Sequence, residues 1–299
     1  KGLLNPGDHV IISPLEHNAV IRPLKRLELL GVELTVAKGD FHGRVSFESV
    51  AHELRPNTKL ICVSHASNVT GAIQPITEIG ALAHEHGIFF MVDGSQTAGH
   101  VPIDVQQMHI DLLAVPGHKG LLGPQGTGAL YTRKEILLRP LIEGGTGSQS
   151  ENPHQPDFIP DRYESGTLNT PGIAGLNAGI QYLFEKGVGT LQAHDQSLTR
   201  QSLEALEKVP GLHIYGPLNP DERTGTVALN LTGQDCNMVC EMLDQQFDIA
   251  VRGGLHCAWL AHRTLGTLHS GAVRLSWGAF NTEQDVQDAA SALRTLLAG

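Results

Sequence analysis

Short apolar runs alternate with amphipathic stretches through the first 132 residues, and no other feature constrains the fold as much. The runs are 9–13 (HVIIS), 32–37 (VELTVA), 59–64 (KLICVS), 88–93 (IFFMVD), 111–116 (DLLAVP) and 128–132 (GALYT). Each has the length of a strand, and most are flanked by Gly, Pro, Asn or Asp. Between them, 18–30 places Val20, Ile21, Leu24, Leu27 and Leu30 on one helical face, and 75–86 does the same with Ile76, Ile79, Leu82 and Ala83. Residues 46–53 read as a further short helix. Strand–helix–strand succession predicts an α/β domain whose mostly parallel sheet carries helices on both faces.

From 144 to 170 the periodicity stops in GGTGSQSENPHQPDFIPDRYESGTLNT, a loop long enough to predict a functional role. A helix over 172–186 and another to about 208 follow. The runs VALNL, IAVRGG and AVRLSW, with helices over 237–246 and 283–297, then predict a smaller α+β domain. The expected division is 1–187 and 188–299. Lys1 opens in what reads as the tail of a helix, so the larger domain is expected to lack its start.

A formal net charge of −10 argues against nucleic acid or an anionic membrane as partner. No apolar run reaches the roughly 18 residues of a membrane-spanning helix. Cys62, Cys236, Cys240 and Cys257 form no C-x-x-C pair, which points to a reduced, cytoplasmic protein. His84 and His86 stand two apart and so on different helix faces, which argues against a metal site.

In an open parallel sheet, ligands bind beyond the C-terminal strand ends. Here four such ends deliver polar groups: His17 and Asn18, His65 to Asn68, Gly94 to Gln96, and His118 with Lys119. Asp93 closes an otherwise apolar strand, where a carboxylate requires a cation or caps the next turn. Lys119 follows another apolar strand in a Gly-rich turn, as a desolvated amine able to condense with a carbonyl or as an ordinary surface lysine. Such a lysine one strand from a carboxylate is the arrangement that pyridoxal phosphate requires. Cys257, beside His256 in a Gly-preceded loop, is either a small buried hydrophobe or a nucleophile on a mobile loop.

The motifs EHN (16–18), SHASNVTG (64–71), VDGSQTAG (92–99), GHK (117–119), YESGTLNT (163–170), RGGLHC (252–257) and VRLSWGAFNT (273–282) extend this arrangement along the whole chain. In order and spacing the set resembles the cysteine desulfurase and selenocysteine lyase group of the class V aminotransferase family, enzymes of pyridoxal-phosphate fold type I. The resemblance implies that Lys119 carries the cofactor and then moves the Cα proton. It implies Asp93 at the pyridine nitrogen, His17 stacked on the ring, and Asn68 and Gln96 near the phenolic oxygen. His118 resembles a phosphate ligand, and Thr167 a phosphate contact supplied by a neighbouring subunit, hence a homodimer. Arg274, with Asn68, resembles the clamp on the substrate carboxylate. Cys257 resembles the nucleophile that takes sulfur from L-cysteine as a persulfide, releasing L-alanine and handing the sulfur to an acceptor protein. Cys236 and Cys240, one helical turn apart, and Cys62, in an apolar strand, read as structural.

Two departures qualify the match. The phosphate-holding helix N-terminus that such proteins place upstream of residue 1 is outside this sequence. Pro116 stands where many relatives have Ser, and it offers neither an N–H nor a hydroxyl. The alternatives are a selenocysteine lyase or another class V enzyme, for which the role of Cys257 discriminates, and a truncated, non-catalytic scaffold without cofactor at Lys119.

Overall fold

In β1 (His9–Ile12) all four residues are buried, as a strand covered on both faces must be. A computed structural model describes residues 1–298 and resolves why. β1 lies inside a six-stranded sheet with β2 (Glu33–Val36), β3 (Thr58–Ser64), β4 (Phe89–Asp93), β5 (Leu112–Pro116) and β6 (Gly128–Thr132), in the order β2-β1-β3-β4-β5-β6. The first five strands are parallel, and β6 pairs antiparallel with β5.

Period-two alternation divides these strands between two cores. Val10, Ile12, Leu60 and Cys62 face α1 (Asn18–Glu28), packing with its Ile21, Leu24 and Leu27. Ile11, Ile61, Val63, Phe90 and Val92 face the other way, onto α2 (Phe47–His52) and α3 (Ile76–Glu85) with Val50, Ile76, Ile79 and Leu82. Burying each such side chain contributes about 1.5–3 kcal/mol. His9 is a core histidine with both ring nitrogens satisfied, by the Thr58 and Thr35 hydroxyls at 2.8 Å each.

β2 and β3 flank β1 on opposite sides, so the chain reverses its direction of winding there. The four polar strand ends named above belong to β1, β3, β4 and β5, which are neighbours in the sheet. The topology therefore places them on one rim, at the switch point where open α/β sheets take ligands.

After the irregular 144–170 segment come α4 (Thr170–Lys186) and α5 (Val188–Leu206). A three-stranded antiparallel sheet, β7 (Leu212–Tyr215), β8 (Thr226–Leu231) and β9 (Val273–Ser276), then packs on α5, α6 (Cys236–Phe247) and α8 (Glu283–Ala298) through Leu198, Leu229, Val239, Leu243 and Leu293. α7 (Trp259–Thr264) instead inserts Leu260 into the core beneath α1.

Two local expectations change. IAVRGG is not a regular strand: it makes single rungs to β9 at Arg252–Arg274 and Gly254–Ala272 and then leaves the sheet. A Cβ at Gly253 would meet Asn237 Oδ1, the Cys236 carbonyl and Cys240 Sγ within 3.0 Å, so α6 forces the bend. β7 and α7 have no counterpart in the sequence reading. β7 is four residues with only Leu212 fully buried, and α7 is six residues, too short for periodicity to register.

Candidate active site

Lys119 lies on the turn after β5, which the backbone closes tightly: Gly117 N–H donates to the Thr127 carbonyl at 2.8 Å and Gly123 N–H to the Gly117 carbonyl at 2.7 Å. Pro116 does not disrupt the sheet, because the β4–β5 ladder has already ended at Asp93–Ala114. The turns after β4 and β5 touch backbone to backbone. A Cβ at Gly99 would come within 2.1 Å of the Gly120 carbonyl, and one at Gly120 within 2.2 Å of the Ala98 carbonyl.

Lys119 opens into a cleft of about 300 Å³. Ser95, Gln96, His100 and Gly120 line it from the large sheet, and Asp195, Thr226, Arg274 and Trp277 from the second half of the chain. Burial lowers the Lys119 pKa, the Asp93 carboxylate opposes that, and the Arg274 guanidinium adds to it. A lowered pKa keeps more of the amine in its nucleophilic, proton-accepting form.

Asp93 is buried, and its Oδ1 accepts from Ser95 N–H at 2.9 Å, so this carboxylate also caps its turn. His17 is the N-cap of α1, with Nδ1 accepting from Ala19 N–H at 3.0 Å. Its pKa is lowered, first by burial and then by the Lys119 charge, while Asp93 raises it. Lys119 thus feels both Asp93 and Arg274, and His17 feels both Lys119 and Asp93.

Glu16, absent from the sequence reading as a site residue, lies fully buried behind this group. It accepts from Ser13 Oγ at 2.5 Å, Ser64 Oγ at 2.7 Å and Ser64 N–H at 2.9 Å, and burial raises its pKa to about 7. A second unforeseen pair lines the cleft: His100 Nδ1 meets Asp195 Oδ2 at 2.5 Å, bridging the β4 turn to α5. Asp195 carries no local sequence signal; it is one of two acids on an ordinary helix.

Arg274 donates from Nη1 to the Asn68 carbonyl at 2.9 Å, and its Nε is buried without a partner. Asn68 donates its side-chain amide to the His256 carbonyl at 2.7 Å, and its Oδ1 is likewise unpartnered. Cys257 follows His256 and is exposed, with its carbonyl accepting from Asn18 N–H at 2.7 Å. His256 and Cys257 both have left-handed backbone, φ 50° and 55°, a conformation that costs a non-glycine residue about 1–2 kcal/mol and persists where its surroundings impose it. The expected Cys257 loop is a short turn, hydrogen-bonded through the carbonyls of both His256 and Cys257. Cys62 and Cys236 are buried and Cys240 partly so.

Gln96 reaches the cleft, whereas His118 is exposed beside it. Thr167 is exposed on the irregular segment and is not among the residues lining the cleft of its own chain. Among the described residues no three His, Cys, Asp or Glu side chains are grouped to hold a metal, and no helix is long and apolar enough to cross a membrane.

Residues 1–288 match the family model for aminotransferase class-V. The chain is 36% identical to a probable cysteine desulfurase of Methanothermobacter thermautotrophicus, covering 94% of this chain and 71% of that protein. It is 36% identical to a cysteine desulfurase of Escherichia coli, covering 97% and 71%. The apo structure of a cysteine desulfurase from Thermococcus onnurineus superposes with a TM-score of 0.92 at 34% identity, over 100% of this chain and 75% of that one. The E. coli cysteine desulfurase CsdA, in an S-sulfonic acid form, gives 0.88 at 29%, over 99% and 73%.

Proposed function

We propose, for a chain that belongs to the aminotransferase class-V family and has its pyridoxal-phosphate fold type I, that it is a cysteine desulfurase acting through Lys119 and Cys257. One observation carries the reading. The half-buried amine of Lys119 shares a cleft with Arg274, and Arg274 is tied through Asn68 to the turn that exposes Cys257.

The donor set fits pyridoxal 5′-phosphate. Lys119 supplies an amine of lowered pKa for the aldehyde, Asp93 a buried carboxylate for the pyridine nitrogen, and His17 an imidazole for the ring face. Gln96, which lines the cleft, and Asn68, with its free Oδ1, would serve the oxygen edge, and the exposed His118 would serve the phosphate. Thr167, exposed and away from its own cleft, would serve a partner's phosphate in a homodimer. Bound there, the cofactor supplies an electron sink that weakens the substrate Cα–H bond.

The chain's own residues do the rest. Arg274 and Asn68 hold the substrate carboxylate, giving the buried guanidinium Nε a partner. Lys119 accepts the Cα proton and returns it. The Cys257 thiolate attacks the sulfur of L-cysteine. An S–S bond forms, the carbon–sulfur bond breaks, and the electron pair stays with carbon, which takes a proton. Alanine leaves, and the sulfur remains on Cys257 as a persulfide for an acceptor protein. In this reading residues 1–187 carry the cofactor and 188–299 bring Arg274 and the thiol.

The test is a visible spectrum of the cofactor-loaded protein before and after L-cysteine, with intact-mass analysis. The expected result is a visible band that shifts with cysteine and a gain of one sulfur at Cys257. A protein that takes up no cofactor, or a persulfide that survives Cys257→Ser, overturns it.

A further inference from the structure

The turn that presents the thiol is held by more than the backbone around it. His256 is buried, and its Nε2 lies 2.9 Å from the Ala272 carbonyl. A carbonyl only accepts, so Nε2 carries a proton. Burial pushes the His256 pKa down to about 4, against the raising effect of that hydrogen bond, and so leaves the ring neutral near pH 7. Its Nδ1 is buried and unpartnered. Ala272 is itself fixed, exchanging two backbone hydrogen bonds of 3.1 Å with Gly254. On the other side, the His256 carbonyl takes the Asn68 amide and the Cys257 carbonyl takes Asn18 N–H. The ring also packs against His262, with centroids 5.7 Å apart, and His262 is fully buried and held by the Thr267 hydroxyl at 2.8 Å.

The anchors therefore come from three separate places: the β9 margin, the turn after β3 and the start of α1. The imidazole of His256 is the only side chain of the 256–257 pair that reaches the first of them. We infer that His256 is the positioning residue for Cys257: its buried ring, hydrogen-bonded to Ala272, imposes the left-handed turn that presents the thiol. It does so without touching the groups that move the Cα proton. The inference rests on the reading of Cys257 as nucleophile.

The test uses the full-length cofactor-loaded protein and its His256→Ala and His256→Gln variants. Gln places an N–H donor near the position of Nε2, whereas Ala removes it. Three readouts are compared: single-turnover persulfide formation at Cys257, exchange of the alanine Cα proton with deuterium, and alkylation of Cys257 by iodoacetamide without substrate. Persulfide formation is expected to fall about 100-fold in His256→Ala, the order caused by misplacing a reacting atom by an ångström. It is expected to stay within about threefold in His256→Gln, with deuterium exchange within about twofold in both, because the Lys119 machinery is untouched. Alkylation is expected to change in His256→Ala and to return in His256→Gln. Equal loss of exchange and persulfide formation, or a His256→Gln as impaired as Ala, overturns the positioning role. Unchanged persulfide formation and alkylation in a folded His256→Ala overturn it too. Should wild type form no persulfide, the desulfurase reading fails instead, and the alkylation rates alone decide how the thiol is held. Should His256→Ala not fold, an His256→Gln with altered alkylation overturns the inference and one with wild-type alkylation supports it.

Discussion

The surroundings of Lys119 and of Cys257 are built in opposite ways. Lys119 sits where successive parallel strands end, so its neighbours Asp93, Gln96 and His17 arrive by the regularity of the sheet. Cys257 sits on no regular element, and its neighbour His256 is held by Asn68, 188 positions from it in the chain. The amine is partly buried and its proton affinity is set by that burial; the thiol is exposed and its usefulness is set by aim. Burial tunes one nucleophile and anchoring tunes the other.

The strongest way to break this contrast is to remove each group in turn. Lys119→Ala is expected to abolish the visible band and lower turnover by about 10³-fold or more, checked by absorbance and alanine production. Cys257→Ser is expected to abolish persulfide formation while leaving both the band and deuterium exchange at Cα intact, checked by mass spectrometry and NMR. If exchange also vanished, the two regions would not be separable. Arg274→Leu is expected to lower kcat/KM for L-cysteine by about 10–100-fold, the size of a lost charge-assisted contact, with the cofactor band retained.

The smallest effect sharpens the burial side. Glu16 is protonated more readily in the folded state, with a pKa near 7 against an ordinary 4.5. Its contribution to stability is complete below pH 4.5 and is lost as pH rises through 7, on the order of 3 kcal/mol in all. His65 and His256, whose pKa values are lowered to about 4, act with the opposite sign, losing stability as pH falls. Urea unfolding of wild type and Glu16→Gln from pH 5 to 8 separates them: the stability difference should move in favour of the variant as pH rises. A difference independent of pH would mean that Glu16 does not titrate in this window.

The large sheet was legible because its strands are short, apolar and punctuated, and because alternation such as Val10–Ile12 against Ile11 leaves a record in the sequence. The rim followed, since strand ends dictate where polar groups collect. The anchored Cys257 turn was not legible. Its geometry depends on Gly253 bending over Cys240, on Asn68 donating its amide to the His256 carbonyl and on the buried ring of His256, none of which has a period. Asp195 was hidden for the same reason: its partner His100 is 95 residues away.

The glycine contact between the turns after β4 and β5 has a consequence for how this site can change. Because Gly99 and Gly120 meet as bare backbone, a side chain at either position would push apart the two turns that follow Asp93 and carry Lys119. The two glycines therefore limit which substitutions the turns beside the cleft can take.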